Sequence, residues 1–86
     1  MKCFVYNRAK MIIAQKSALK DMQRWRGNKG YLDKDLVRIF IANNLNRFFG
    51  AKCWDSNVVD NIMRDMLYNL DIGYDNDTDD YYVFSP

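Results

Sequence analysis

Asp33-Lys34-Asp35-Leu36-Val37-Arg38-Ile39-Phe40-Ile41-Ala42-Asn43-Asn44-Leu45-Asn46-Arg47-Phe48-Phe49-Gly50 is bounded by a cap at each end. Asp33 is an N-cap residue type, and Gly50 stands where a helix hands over to a left-handed residue. The spacing predicts a helix over Lys34–Phe49. Leu36, Val37, Ile39, Phe40, Ile41, Ala42, Leu45, Phe48 and Phe49 cover well over half of its circumference. The remaining polar strip runs through Asp35, Arg38 and Asn46. A helix apolar on most sides must be surrounded. It is expected either between two other helices or in a subunit interface.

Two candidates flank it. After it, Asp55 or Ser56 can cap a third helix over about Asn57–Leu70, before Gly73. Val59, Ile62, Met63, Met66 and Leu70 recur at helical spacing there, and Asp60, Asn61, Arg64 and Asp65 make the wet face. Before it, Asn7 can cap a helix over about Arg8–Arg26. Met11, Ile12, Ala14, Ala18, Leu19, Met22 and Trp25 approximate its apolar stripe, which Gln15 interrupts. Gly27 and Gly30 predict a loop over Arg26-Gly27-Asn28-Lys29-Gly30.

Both ends of the chain are β-prone: Lys2–Tyr6 and Tyr81–Phe84. A lone short strand needs a partner. Pairing of these two segments, within one chain or across a dimer, is therefore expected. The fold class that follows is mainly α, a three-helix domain with a minimal two-stranded element joining the N- and C-terminal segments. Eighty-six residues make one domain, 1–86, with residues 74–80 as an acidic turn or tail inside it.

Apolar residues are 49% of the chain and thirteen residues are aromatic. That is more than so short a chain easily hides, and it predicts a homodimer in which one chain's acidic tail can approach the other's basic helix. No apolar run is long enough to span a bilayer and no secretory leader is evident. The expectation is a cytoplasmic protein. Nine Asn and no Glu suggest an A·T-rich coding genome such as a phage, which would place it in a host cytoplasm.

Charge is segregated. Residues 1–43 hold ten Lys or Arg against three Asp, a net of +7; residues 44–86 hold three against eight, a net of −5. Opposed halves point to electrostatic partners, nucleic acid above all. Lys16, Lys20 and Arg24 fall at i, i+4 and i+8, so they line one side of the first helix. Arg26 and Lys29 extend the charge, and Trp25 between two Arg offers a ring on which an unpaired base could stack. A helix-turn-helix reading is disfavoured, because the third helix would enter a phosphate-walled groove carrying Asp60 and Asp65.

Asp75, Asp77, Asp79 and Asp80, with Tyr81, form an acidic counterpart that could mimic nucleic acid toward another protein. The Asp75-x-Asp77-x-Asp79 spacing opens like a calcium loop, but its sixth and twelfth positions are Asp80 and Pro86 instead of Gly and Glu. His is absent, and Cys3 and Cys53 have no partner spacing for zinc. No nucleophile elbow or phosphate loop is present in the sequence. No catalytic residue, metal or cofactor is expected. The leading expectation is a small non-catalytic protein that binds nucleic acid, RNA or single strands above duplex DNA. The alternative is a phage-type inhibitor or antitoxin-like protein that blocks a nucleic-acid-handling protein.

Overall fold

The computed structural model describes residues 7–29, 32–50 and 54–84, with the side chains of 26–29 left out. Three helices lead into one β-hairpin: α1 (Arg8–Lys29), α2 (Lys34–Phe49), α3 (Ser56–Tyr68), β1 (Ile72–Asp75) and β2 (Asp80–Val83). The mainly α fold class and the two-stranded antiparallel element are as expected.

The caps work as their chemistry requires. Asn7 Oδ1 accepts from the Lys10 amide at 3.0 Å. Asp33 Oδ1 accepts from the Leu36 amide at 2.8 Å. Asp55 Oδ1 accepts from the Asn57 and Val58 amides at 3.0 and 3.3 Å. Each satisfies amides that a helix start leaves orphaned. Gly50 ends α2 at φ 100°.

α2 lies between α1 and α3, in contact with both. Val37, Ile41 and Leu45 are its buried stripe. α1 answers with Ala14, Ala18 and Met22, also at i, i+4 and i+8 and also buried. The pair is antiparallel, for Lys10 reaches Phe49 at one end and Trp25 meets Phe40 toward the other. Midway, buried Asn44 donates from Nδ2 to Asp21 Oδ2 at 2.9 Å and to the Phe40 carbonyl at 2.8 Å. On the other side, Arg38 pairs with Asp60 of α3. Trp54 Nε1 donates to Asn46 Oδ1 at 2.8 Å.

The hairpin closes the remaining side. Ile72 pairs with Val83 and both are buried, as is Tyr81. The outer edge of β2 is not bare. Tyr81 and Leu32 exchange two backbone hydrogen bonds, of 2.7 and 3.2 Å, which tie the hairpin to the chain just before α2.

Three expectations change. First, the partner of the C-terminal strand is Ile72–Asp75. Lys2–Tyr6, the expected partner, lies outside the described residues, as do Cys3 and Cys53. The turn residues 76–79 bring β1 and β2 together locally, at a smaller entropic cost than closing the whole chain. Second, α1 runs on to Lys29 through Gly27. One glycine costs a helix only about 1 kcal/mol, and Met22 and Trp25 hold the preceding turn on the core. Third, α3 stops at Tyr68, short of Leu70 and Gly73. Leu70 has φ 63°. Its amide donates to the Leu67 carbonyl and the Asp71 amide to the Met66 carbonyl, the paired bonds of a left-handed helix stop. Leu70 is thereby turned out of the apolar stripe and is 69% exposed. Of the two expected settings for α2, the one between two helices is found, and Ile39 is its one large apolar side chain left exposed.

Ile62 and Leu70 should therefore behave oppositely. Ile62→Ala removes a fully buried side chain and should cost ~2–5 kcal/mol. Leu70→Gly relieves a left-handed conformation, worth up to about 1 kcal/mol after glycine's own entropy cost. Thermal melts followed by circular dichroism should show a lower midpoint for the first and an equal or higher one for the second.

Candidate functional site

Lys16, Lys20 and Arg24 each stand two residues after a buried member of the Ala14-Ala18-Met22 stripe. Two residues are about 200° of helix, so the cations point away from the core. All three are exposed. Successive members are roughly 6 Å apart along the axis. Arg24 lies 3.9 Å from Asp21, an exposed and loose pair that contributes little. Lys16, Lys20 and Arg8 have no ion pair among the described residues. Exposed Ile13 falls within the same outward face. Arg26 and Lys29 continue α1, but their side chains lie outside the described part.

Trp25 is placed differently from the cations that flank it in sequence. It is half-buried against the core, its ring edge toward Phe40 at 5.9 Å between centroids. Its indole N–H is buried with no acceptor among the described residues. A shallow crevice of about 230 Å³ bounded by Asp21, Arg24, Trp25 and Phe40 opens beside it.

A larger groove of about 820 Å³ runs between α1 and α3. Met11, Ile12, Leu19 and Val58 supply its apolar part, and Arg8, Lys16, Arg64, Asp65 and Asp71 its charges. Lys16 belongs both to this groove and to the outward cationic face.

The acidic residues of 75–80 hold the hairpin turn. Asp75 Oδ1 accepts from the Asp77 amide at 2.9 Å. The Asp79 amide donates to the Asp75 carbonyl at 2.8 Å. Asp79 adopts φ 59°, which Asp tolerates better than most residues, and its carboxylate accepts from the Tyr74 hydroxyl. Asp77 and Asp79 are exposed, while Asp75 and Asp80 are half-covered and face each other across the strands. Tyr81, expected on this surface, is instead core: it is 9% exposed and its ring lies 5.0 Å from that of Tyr74. Among the described residues no three acids converge as a metal site.

Sequence reasoning missed β1. Ile72-Gly73-Tyr74-Asp75 looked like a helix stop running into an acidic tail. The usable signal was two β-prone runs separated by four turn residues. Gly73 is explained by its cross-strand partner: Tyr82 lies over it, and a Cβ there would meet that ring at 2.3 Å.

Tyr74 and Tyr81 are shifted toward the neutral phenol. The hydrogen bond to Asp79 raises Tyr74 above its ordinary value of 10.0, aided by burial and nearby acids. Burial, then the charge of Asp79, raises Tyr81. A raised phenol contributes stability that is full below pH 10 and is lost as pH climbs through the folded value. Denaturant midpoints should therefore fall above pH 10, and Tyr74→Phe should flatten part of that fall.

Set beside protein families, curated proteins and solved structures, the chain matches none.

Proposed function

We propose that this protein is a small non-catalytic nucleic-acid-binding protein that grips the sugar-phosphate backbone of RNA or single strands through the outward face of α1. The observation that carries this reading is the isolation of that face. Among the described residues Lys16 and Lys20 have no ion pair and Arg24 only a loose one, and none of the three makes a cap or a core contact there. The cations of such a stripe would displace counterions condensed on the phosphates, at little cost in broken salt bridges. Arg8 extends it at one end, and Arg26 and Lys29 follow it in sequence at the other. Asp21, loosely paired with Arg24, is the one acid on α1 itself; the other acids lie on later segments of the chain. Trp25 stands outside this interface, because its ring is committed to Phe40 and the core.

A second reading has one observation in its favour. The turn at 76–79 is internally braced, so Asp75, Asp77, Asp79 and Asp80 are presented by a fixed loop. A fixed acidic tip is what an inhibitor of a basic protein would use. In that case the partner is a nucleic-acid-handling protein and α1 is merely solvated.

Fluorescence anisotropy with a labelled single-stranded RNA separates the two. Binding should weaken steeply with salt, losing about one unit of slope for each phosphate contact removed. The Lys16→Ala, Lys20→Ala, Arg24→Ala triple variant should bind weakly at every sequence tested and show a flatter slope. Unchanged affinity and slope would leave α1 a solvated face and favour the inhibitor reading.

A further inference from the structure

The hairpin carries an unresolved electrostatic conflict. Asp75 and Asp80 are directly opposed in the strand register, with Asp77 and Asp79 in the loop between them. Like charges in that position destabilise a strand pair. Residues 72–80 contain four Asp and no Lys or Arg, and no ion pair reaches the tip among the described residues. A cation from outside the hairpin is the missing element.

The chain's own α1 cannot supply it. β2 packs on α1, and so meets its buried side. Lys16, Lys20 and Arg24 point the opposite way, across the width of a helix about 10 Å thick. The two charge clusters can meet only between molecules.

Their surfaces also match in apolar character. Asp80, Tyr82 and Phe84 alternate along β2, so they share the outward face of the hairpin. Tyr82 and Phe84 are exposed and pack edge to face at 5.3 Å. The α1 face presents Ile13 on the same side as Lys16 and Lys20, at i, i+3 and i+7. Aromatic rings beside carboxylates on one surface meet an isoleucine beside ammonium groups on the other. Such a contact allows ion pairing, apolar burial and cation–π contact together.

We propose that the outward face of α1 is the docking site for the acidic hairpin of a second copy of this chain. Two copies related by a twofold axis make the contact twice, each helix receiving the other's hairpin. The contact does not depend on nucleic-acid binding. It uses the same lysines, however, so the paired state and a polyanion-bound state exclude each other.

Light scattering coupled to gel filtration of the full chain tests this. The mass should be twice 10.2 kDa at roughly 0.1 M salt and should return to the monomer near 1 M, where the screening length falls from about 10 to about 3 Å. Two charge-reversed variants sharpen the test. Asp77→Lys with Asp80→Lys, and Lys16→Asp with Lys20→Asp, should each be monomeric, because each homodimer would oppose like charges twice. Mixed in equal amounts, they should form a heterodimer, since both contacts become attractive again. Melting curves on each variant alone establish that it is folded. A monomer at every salt concentration overturns the proposal. So does a dimer indifferent to salt and to both pairs of substitutions, or a failure of the folded variants to associate when mixed. RNA binding by the wild-type chain is measured separately, so the two proposals can fail independently.

Discussion

Everything in this fold answers to the burial of α2. Its apolar side chains point in too many directions for one neighbour to cover. α1 covers one side with small residues, Ala14 and Ala18, which let the two helices approach closely. α3 covers another with Ile62, Met63 and Met66, and the hairpin seals the rest with Ile72, Tyr81 and Val83. Asn44 is the one buried polar residue among those described, and its amide is spent on linking α2 to Asp21 of α1. A buried amide left unpaired would cost more than a paired one gains. That bond therefore fixes which turn of α1 faces which turn of α2.

The charged residues divide by employment as well as by position. Many of the acids have structural work: Asp33 and Asp55 cap helices, Asp75 and Asp79 brace the turn, and Asp60 pairs with Arg38. The cations of α1 have little. Lys10 lies over the Phe49 ring and Arg24 is loosely paired, while Lys16, Lys20 and Arg8 are tied to nothing described. Surface charges that stabilise nothing in the fold are free to serve association. Net charge near zero conceals this, since +2 is the small remainder of two large opposed terms.

The helices were legible because each begins at a side chain whose chemistry leaves few options. Asn7, Asp33 and Asp55 were identifiable as caps from type and position, and Lys34–Phe49 has the bounds its spacing predicts. The cationic stripe was legible for the same reason, as helical period alone puts Lys16, Lys20 and Arg24 together. Tertiary choices were not. Leu70 continues the apolar period of α3 perfectly, and only the backbone's left-handed turn at that residue removes it from the core. Trp25 and Tyr81 carry amphipathic rings that suit a surface or a core equally well, and packing decided for the core. β1 was hidden because Gly73 reads as a helix stop until Tyr82 is seen lying over it.

The bridge between Leu32 and Tyr81 has a consequence in time. A ribosome adds roughly 5–20 residues per second, so seconds separate the emergence of Leu32 from that of its strand partner. Once α2 has emerged it can pair with α1, yet until β2 follows the side that Tyr81 and Val83 later cover faces water. The nascent chain thus passes through a stage with a finished helical hairpin and an open greasy flank. Shelter during synthesis, by the ribosome surface or by a chaperone, matters more for this molecule than its small size would imply.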